Sequence, residues 1–173
     1  MSETSILVGL KAPDPAAMTA LSTLMRISPE TAPLHLSRYD HWRFTGPGAV
    51  REFVSELVSH YTDIVNPNKQ TWSFFEGETD PILTDPGMTW AAVLVTDRVD
   101  SISENWTGIL GRRHRGVESV GYSVLWRLGF SRSVSLEDAR DRTMTMAVTT
   151  HRDRGLLANP VSQLIELLGT SKT

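Results

Sequence analysis

The chain contains no cysteine. Disulfides, thiol nucleophiles and cysteine-ligated zinc are therefore excluded. No apolar run approaches the roughly 20 residues that a membrane-spanning helix needs. The start, MSETSILVGLKAPDP, shows neither a basic leader nor a long apolar stretch, so the reading is a protein without a signal peptide. A cytoplasmic setting fits both readings. No GxxxxGK[ST] occurs, and no GxGxxG follows a strand, so phosphate loops are missing. The GxSxG elbow and the HExxH zinc motif are missing too. The triplet His151-Arg152-Asp153 has none of the companions that would make it a kinase loop. Repeats, low-complexity tracts and linkers are not evident either.

Lysine is scarce. Arginine outnumbers it 14 to 3, which suits planar anion recognition and equally suits a GC-rich genome. The net charge of −3 is unevenly spread, with −6 over residues 1–97 and +3 over 98–154. Overall acidity argues against general DNA binding, which needs basic surface. A length of 173 residues suits a single globular domain over 1–173.

The periodicity that is present is mixed. Ile6–Leu10 reads as a short strand. Asp14 caps a helix with Pro15 at its first position. Leu34–Phe44 alternates, with Leu34, Leu36, Trp42 and Phe44 on one face and His35, Tyr39, His41 and Arg43 on the other. After the TGPG break, Val50, Phe53, Val54, Leu57, Val58 and Tyr61 form one helical face. Thr71–Glu76 and the doubly apolar Met88–Thr96 read as strands. Asn105–Leu110 and Val117–Leu128 read as the arms of a hairpin with Gly111–Gly116 at its tip. Ser135 opens a further helix, closed by basic residues at 151–155, and Asn159-Pro160 opens a last short one. The expected fold class is α+β, a mainly antiparallel sheet of about five to six strands with helices packed on one face.

Candidate chemistry concentrates on arginine. Arg112, Arg113 and Arg115 surround His114 on the expected tip, Arg127 sits on the polar side of the second arm, and Arg152 and Arg154 flank the helix before the tail. If these converge, they form an anion site. Trp106 and Trp126 would face each other on the two arms, and tryptophan with arginine is a frequent binding hot spot. The five histidines lack metal-ligand spacing, and no metal or cofactor is expected. The acidic loop at Glu76, Glu78, Asp80 and Asp85 reads as a solvated turn.

Two functions fit. The first is a non-enzymatic interaction module, of inhibitor, immunity or assembly type. It would bind another protein through a Trp/Arg-rich sheet face or hairpin tip, using Arg112, Arg113, His114, Arg115, Arg127 and Trp106. The second is a small enzyme or ligand-binding domain that holds an anionic small molecule with arginines. In it His114, His41 or Tyr122 would serve as acid or base. Association with a second copy of the chain stays open in both.

Overall fold

The structure is a computed structural model that describes residues 1–148 and 156–168. Those residues form six strands, five α-helices and one 3₁₀ turn. In chain order they are β1 (Ser2–Leu10), α1 (Pro15–Ile27), β2 (His35–Gly46), α2 (Arg51–His60), β3 (Gln70–Phe74), a 3₁₀ turn at Gly77–Thr79, α3 (Pro81–Thr84), β4 (Thr89–Asp97), α4 (Ser101–Arg113), β5 (Ser119–Phe130), α5 (Leu136–Ala147) and β6 (Gln163–Leu168). The strands make one antiparallel sheet in the order β3-β1-β2-β5-β4-β6. The α+β class expected from the sequence is the class observed.

The contacts divide the chain into two compact units. The first holds Met1–Ala12, Tyr39–Phe75 and Val99–Ser123. Its core places Ile6 and Val8 of β1, Trp42 and Phe44 of β2 and Val120 of β5 against Val54, Leu57 and Val58 of α2 and Leu110 of α4. The β1–β2 ladder pairs Ile6 with Trp42 and Thr4 with Phe44, so alternate residues of both strands share the helix-covered face. The second unit holds Pro13–Arg38, Glu76–Arg98 and Val124–Thr173. There Leu36, Ala91, Val93, Val95, Leu128 and Phe130 pack against Ala20 and Leu24 of α1 and Ala139, Met146 and Ala147 of α5.

Element order and sheet order together reveal a repeat. β1-α1-β2-α2-β3 is followed by β4-α4-β5-α5-β6, and matching strands hold mirror-related places in the sheet. Lengths agree: β1 and β4 have 9 residues each, α1 and α4 have 13, β2 and β5 have 12. Each first helix is capped by an aspartate. Asp14 accepts from the N–H groups of Ala16 and Ala17, and Asp100 from that of Ser103. Trp42-Arg43 and Trp126-Arg127 stand at the same two places in β2 and β5. The compact units do not coincide with these halves. α1 of the first half belongs to the second unit, and α4 of the second half to the first. Each unit is thus completed by a helix from the other half, and neither half of the sequence is a compact unit alone.

Two sequence expectations are corrected. Asn105–Leu110 is not a hairpin arm but the middle of α4, so Gly111, Arg112 and Arg113 are its last turn. Asp100 nucleates this helix, and Trp106, Ile109 and Leu110 turn one face to the first core. Gly108 and Gly111 weaken a helix by only about 1 kcal/mol each, which core packing overrides. The last expected helix is instead β6. Its Gln163–Leu168 ladder pairs with Asp97–Ala92 of β4 and covers what would otherwise be a bare, strongly apolar edge. The long turn after β3 contains the 3₁₀ turn and α3. Buried Asp80 holds it together by accepting from the N–H groups of Glu76 and Ile82.

Candidate functional site

The GRRHRG run is pinned at both ends. On its N-terminal side, α4 closes with the His114 N–H donating to the Leu110 carbonyl at 2.7 Å. On its C-terminal side, the Gly116 carbonyl accepts from Gly48 N–H at 3.0 Å, and Glu118 N–H donates to the Thr45 carbonyl at 2.8 Å. Gly46, Gly48 and Gly116 make this crossing possible. A Cβ on Gly46 would lie 2.2 Å from the Gly116 oxygen, and one on Gly116 would lie 2.8 Å from Gly48 Cα. His114 is half-buried between ring edges, with centroids 5.3 Å from Phe53 and 6.1 Å from Tyr61. Its Nε2 lies 3.1 Å from the Tyr61 hydroxyl.

Arg112, Arg113 and Arg115 are exposed. Among the described residues none of them has an ion-pair partner. Arg38 and Arg142, by contrast, pair with Asp14 at 3.6 Å and Asp138 at 2.9 Å. Arg112 and Arg113 complement the negative end of the α4 dipole, and both remain exposed.

Beside this turn lies a cleft of about 560 Å³. Phe53, Glu56, Leu57 and His60 of α2 line one side, and Tyr61, Arg113 and His114 complete it. The four α2 residues follow the i, i+3, i+4, i+7 spacing of one helical face. The Nδ1–H of His60 donates to the Glu56 carbonyl at 2.8 Å, so Nε2 is the ring nitrogen left for another partner. Glu56 and Arg113 place opposite charges on opposite helices around the same cleft. Neither charge is ion-paired with a described residue. No three His, Asp or Glu side chains gather as a metal-ligand set among the described residues.

The remaining expected site residues fall elsewhere. Trp106 lies on α4, packed edge-on against Trp42 at 6.0 Å and Tyr61 at 5.6 Å in the first core. It packs against Tyr61, which lines the cleft, and does not face Trp126 across a hairpin. Arg127 belongs to the second unit, where its guanidinium lies 3.3 Å over the Trp90 ring. His35 meets the same indole edge-on at 5.7 Å. Arg152 and Arg154 lie outside the described residues. The structure therefore brings Arg113 and His114 into one cleft, sets Arg112 in the last turn of α4 and Arg115 on the turn that follows it, and assigns Arg127 to the second unit. The sequence reading missed Phe53, Glu56, His60 and Tyr61 as site residues. His41 is only 6% exposed and its Nδ1 has no partner among the described residues. Burial, reinforced by the Arg43 charge, lowers its pKa from 6.5 to about 4.

No family model, curated protein or solved structure matches the chain. No helix among the described residues is long and apolar enough to cross a membrane.

Proposed function

We propose that the protein is a non-enzymatic interaction module that binds an acidic surface of another protein through the turn after α4. One observation carries the reading. Three exposed arginines with no ion-pair partner among the described residues stand within four positions of the chain, on backbone anchored at both ends. Anchoring lowers the ordering cost of binding. Unpaired guanidinium groups recognise carboxylates bidentately. The tryptophans do not contribute a binding face in this reading, because Trp42 and Trp90 are buried and Trp106 and Trp126 pack on the cores. An inhibitor, an immunity-type protein or an assembly component working in the cytoplasm would fit, a setting that the cysteine-free composition suits.

The test is capture of a partner from lysate of the native host by the wild-type chain and by a variant with Arg112, Arg113 and Arg115 all changed to Ala. Stability should change by no more than about 0.5 kcal/mol per exposed site. Capture should fall sharply, and wild-type capture should weaken with added salt. A partner that the triple variant retains in full would overturn the proposal.

A further inference from the structure

We infer that the α2–α4 cleft is a binding site for a small zwitterion, a free α-amino acid with an apolar or aromatic side chain. The volume of about 560 Å³ lies within the roughly 300–1,000 Å³ typical of small-ligand pockets. Its charges come as an opposed pair. Glu56 on α2 offers a carboxylate, and Arg113 at the end of α4 offers a guanidinium. An ammonium group satisfies the first and a carboxylate the second. A ligand with only one of these groups forgoes the interaction with the other side chain and binds more weakly for that reason. Phe53, Leu57 and Tyr61 supply apolar wall for the side chain. The wall is held in place: the Tyr61 hydroxyl meets His114 Nε2 at 3.1 Å, and its ring packs edge-on against Trp106 at 5.6 Å. His60 Nε2 is left for a polar group of the ligand, because Nδ1 is committed to the Glu56 carbonyl. The inference goes beyond partner binding and shares only Arg113 with it.

The experiment titrates the full chain with L-phenylalanine, 3-phenylpropionate and 2-phenylethylamine, and reads NMR shifts of the Tyr61 ring and the Trp106 indole. L-phenylalanine should shift both signals saturably. The two single-charge analogues should bind at least about tenfold more weakly, a difference of about 1.4 kcal/mol. Glu56→Gln should remove the preference for L-phenylalanine over 3-phenylpropionate. Arg113→Gln should remove its preference over 2-phenylethylamine. Both positions are exposed, so the melting temperatures of both variants should stay close to wild type. No saturable shift with L-phenylalanine up to about 10 mM, a range that registers even millimolar affinity, would overturn the inference. Equal binding of all three probes would also overturn it. Glu56→Gln leaves all three arginines in place, so partner capture should survive it. Loss of amino-acid binding with capture intact separates this site from the proposed protein interface.

Discussion

Gly46→Ala is expected to destabilise the protein by about 3 kcal/mol or more, the combined scale of a strained positive φ and an overpacked contact. Gly46 has φ of 147°, where side chains are strained regardless of space. The added Cβ would also lie 2.2 Å from the Gly116 carbonyl oxygen and 2.8 Å from Glu118 N. Both neighbours are backbone, so neither can swing aside as a side-chain tip would. Relief requires opening the Gly48–Gly116 hydrogen bond, and with it the point where the end of β2 grips the chain entering β5. Gly116→Ala approaches the same clash from the other side, 2.8 Å from Gly48 Cα. Two controls isolate the cause. Gly77 has φ of 64° but nothing within 4 Å of its Cβ position, so Gly77→Ala should show the conformational cost alone. Gly111 is helical, and its Cβ would meet only the Val117 oxygen at 3.8 Å. Gly111→Ala should therefore be neutral or stabilising by up to about 1 kcal/mol. Urea denaturation of the four variants decides the matter. If Gly46→Ala and Gly116→Ala unfold at the same midpoint as Gly111→Ala, the clasp does not exist as described.

Gly111 and Gly116 also show where the sequence stops being readable. They bracket the same run, and composition alone treats them alike. One sits inside a helix where alanine would serve better. The other lies where two backbones cross. The difference lies in what Gly48 brings to the site from 68 residues away, and local patterning carries no trace of that. Elements fixed by local signals were legible: the Asp14-Pro15 start of α1, the Phe53, Val54, Leu57 and Val58 face of α2 and the strand read at Val117–Leu128, which is β5. Of the two misread elements, only β6 was decided by long-range pairing. Val161, Leu164, Ile165 and Leu168 match a helical template, yet the ladder with β4 takes Gln163–Leu168 as a strand. Trp106, Ile109 and Leu110 stand at i, i+3 and i+4, the spacing of one helical face, and Asp100 caps that helix, so the signal for α4 was present in the local sequence.

The repeat escaped the sequence for a related reason. Its halves share topology and nearly equal element lengths, but the matching residues are scattered: the two aspartate caps, the two Trp-Arg pairs, Leu7-Val8 with Leu94-Val95, Leu24 with Leu110 and Arg26 with Arg112. The cleft was hidden differently. Glu56 and His60 flank the apolar stripe of α2 and read as ordinary helix-edge residues. They become a site only because α4 exchanges into the first unit and brings Arg113 and His114 to that edge. The cleft itself is a consequence of α4 belonging to the first unit.

Acidification should expose a second long-range feature, the burial of His41. Its folded pKa is lowered to about 4 from the ordinary 6.5, chiefly by burial and then by Arg43. Between these values the unfolded chain binds a proton at His41 and the folded chain does not. Stability therefore falls as the pH drops through that window, by about 1.4 kcal/mol per pH unit and about 3 kcal/mol in total. The contribution is fully present above 6.5, and its loss is complete below about 4, where both states are protonated. Carboxylates titrate in the same range, so the diagnostic quantity is the difference between wild type and His41→Leu. Leucine has no proton to bind and leaves no orphaned Nδ1 against the Phe75 ring, whose centroid lies 5.5 Å from that of His41. At pH 7.5 the variant should match wild type or exceed it slightly. At pH 4.5 it should be the more stable protein by about 2 kcal/mol. Arg43→Gln removes the smaller cause while leaving burial intact, so it should narrow the window from its acid side without abolishing it. Parallel stability curves for wild type and His41→Leu between pH 7.5 and 4.5 would mean that the imidazole is solvated in the native state and that β2 is not covered on that side.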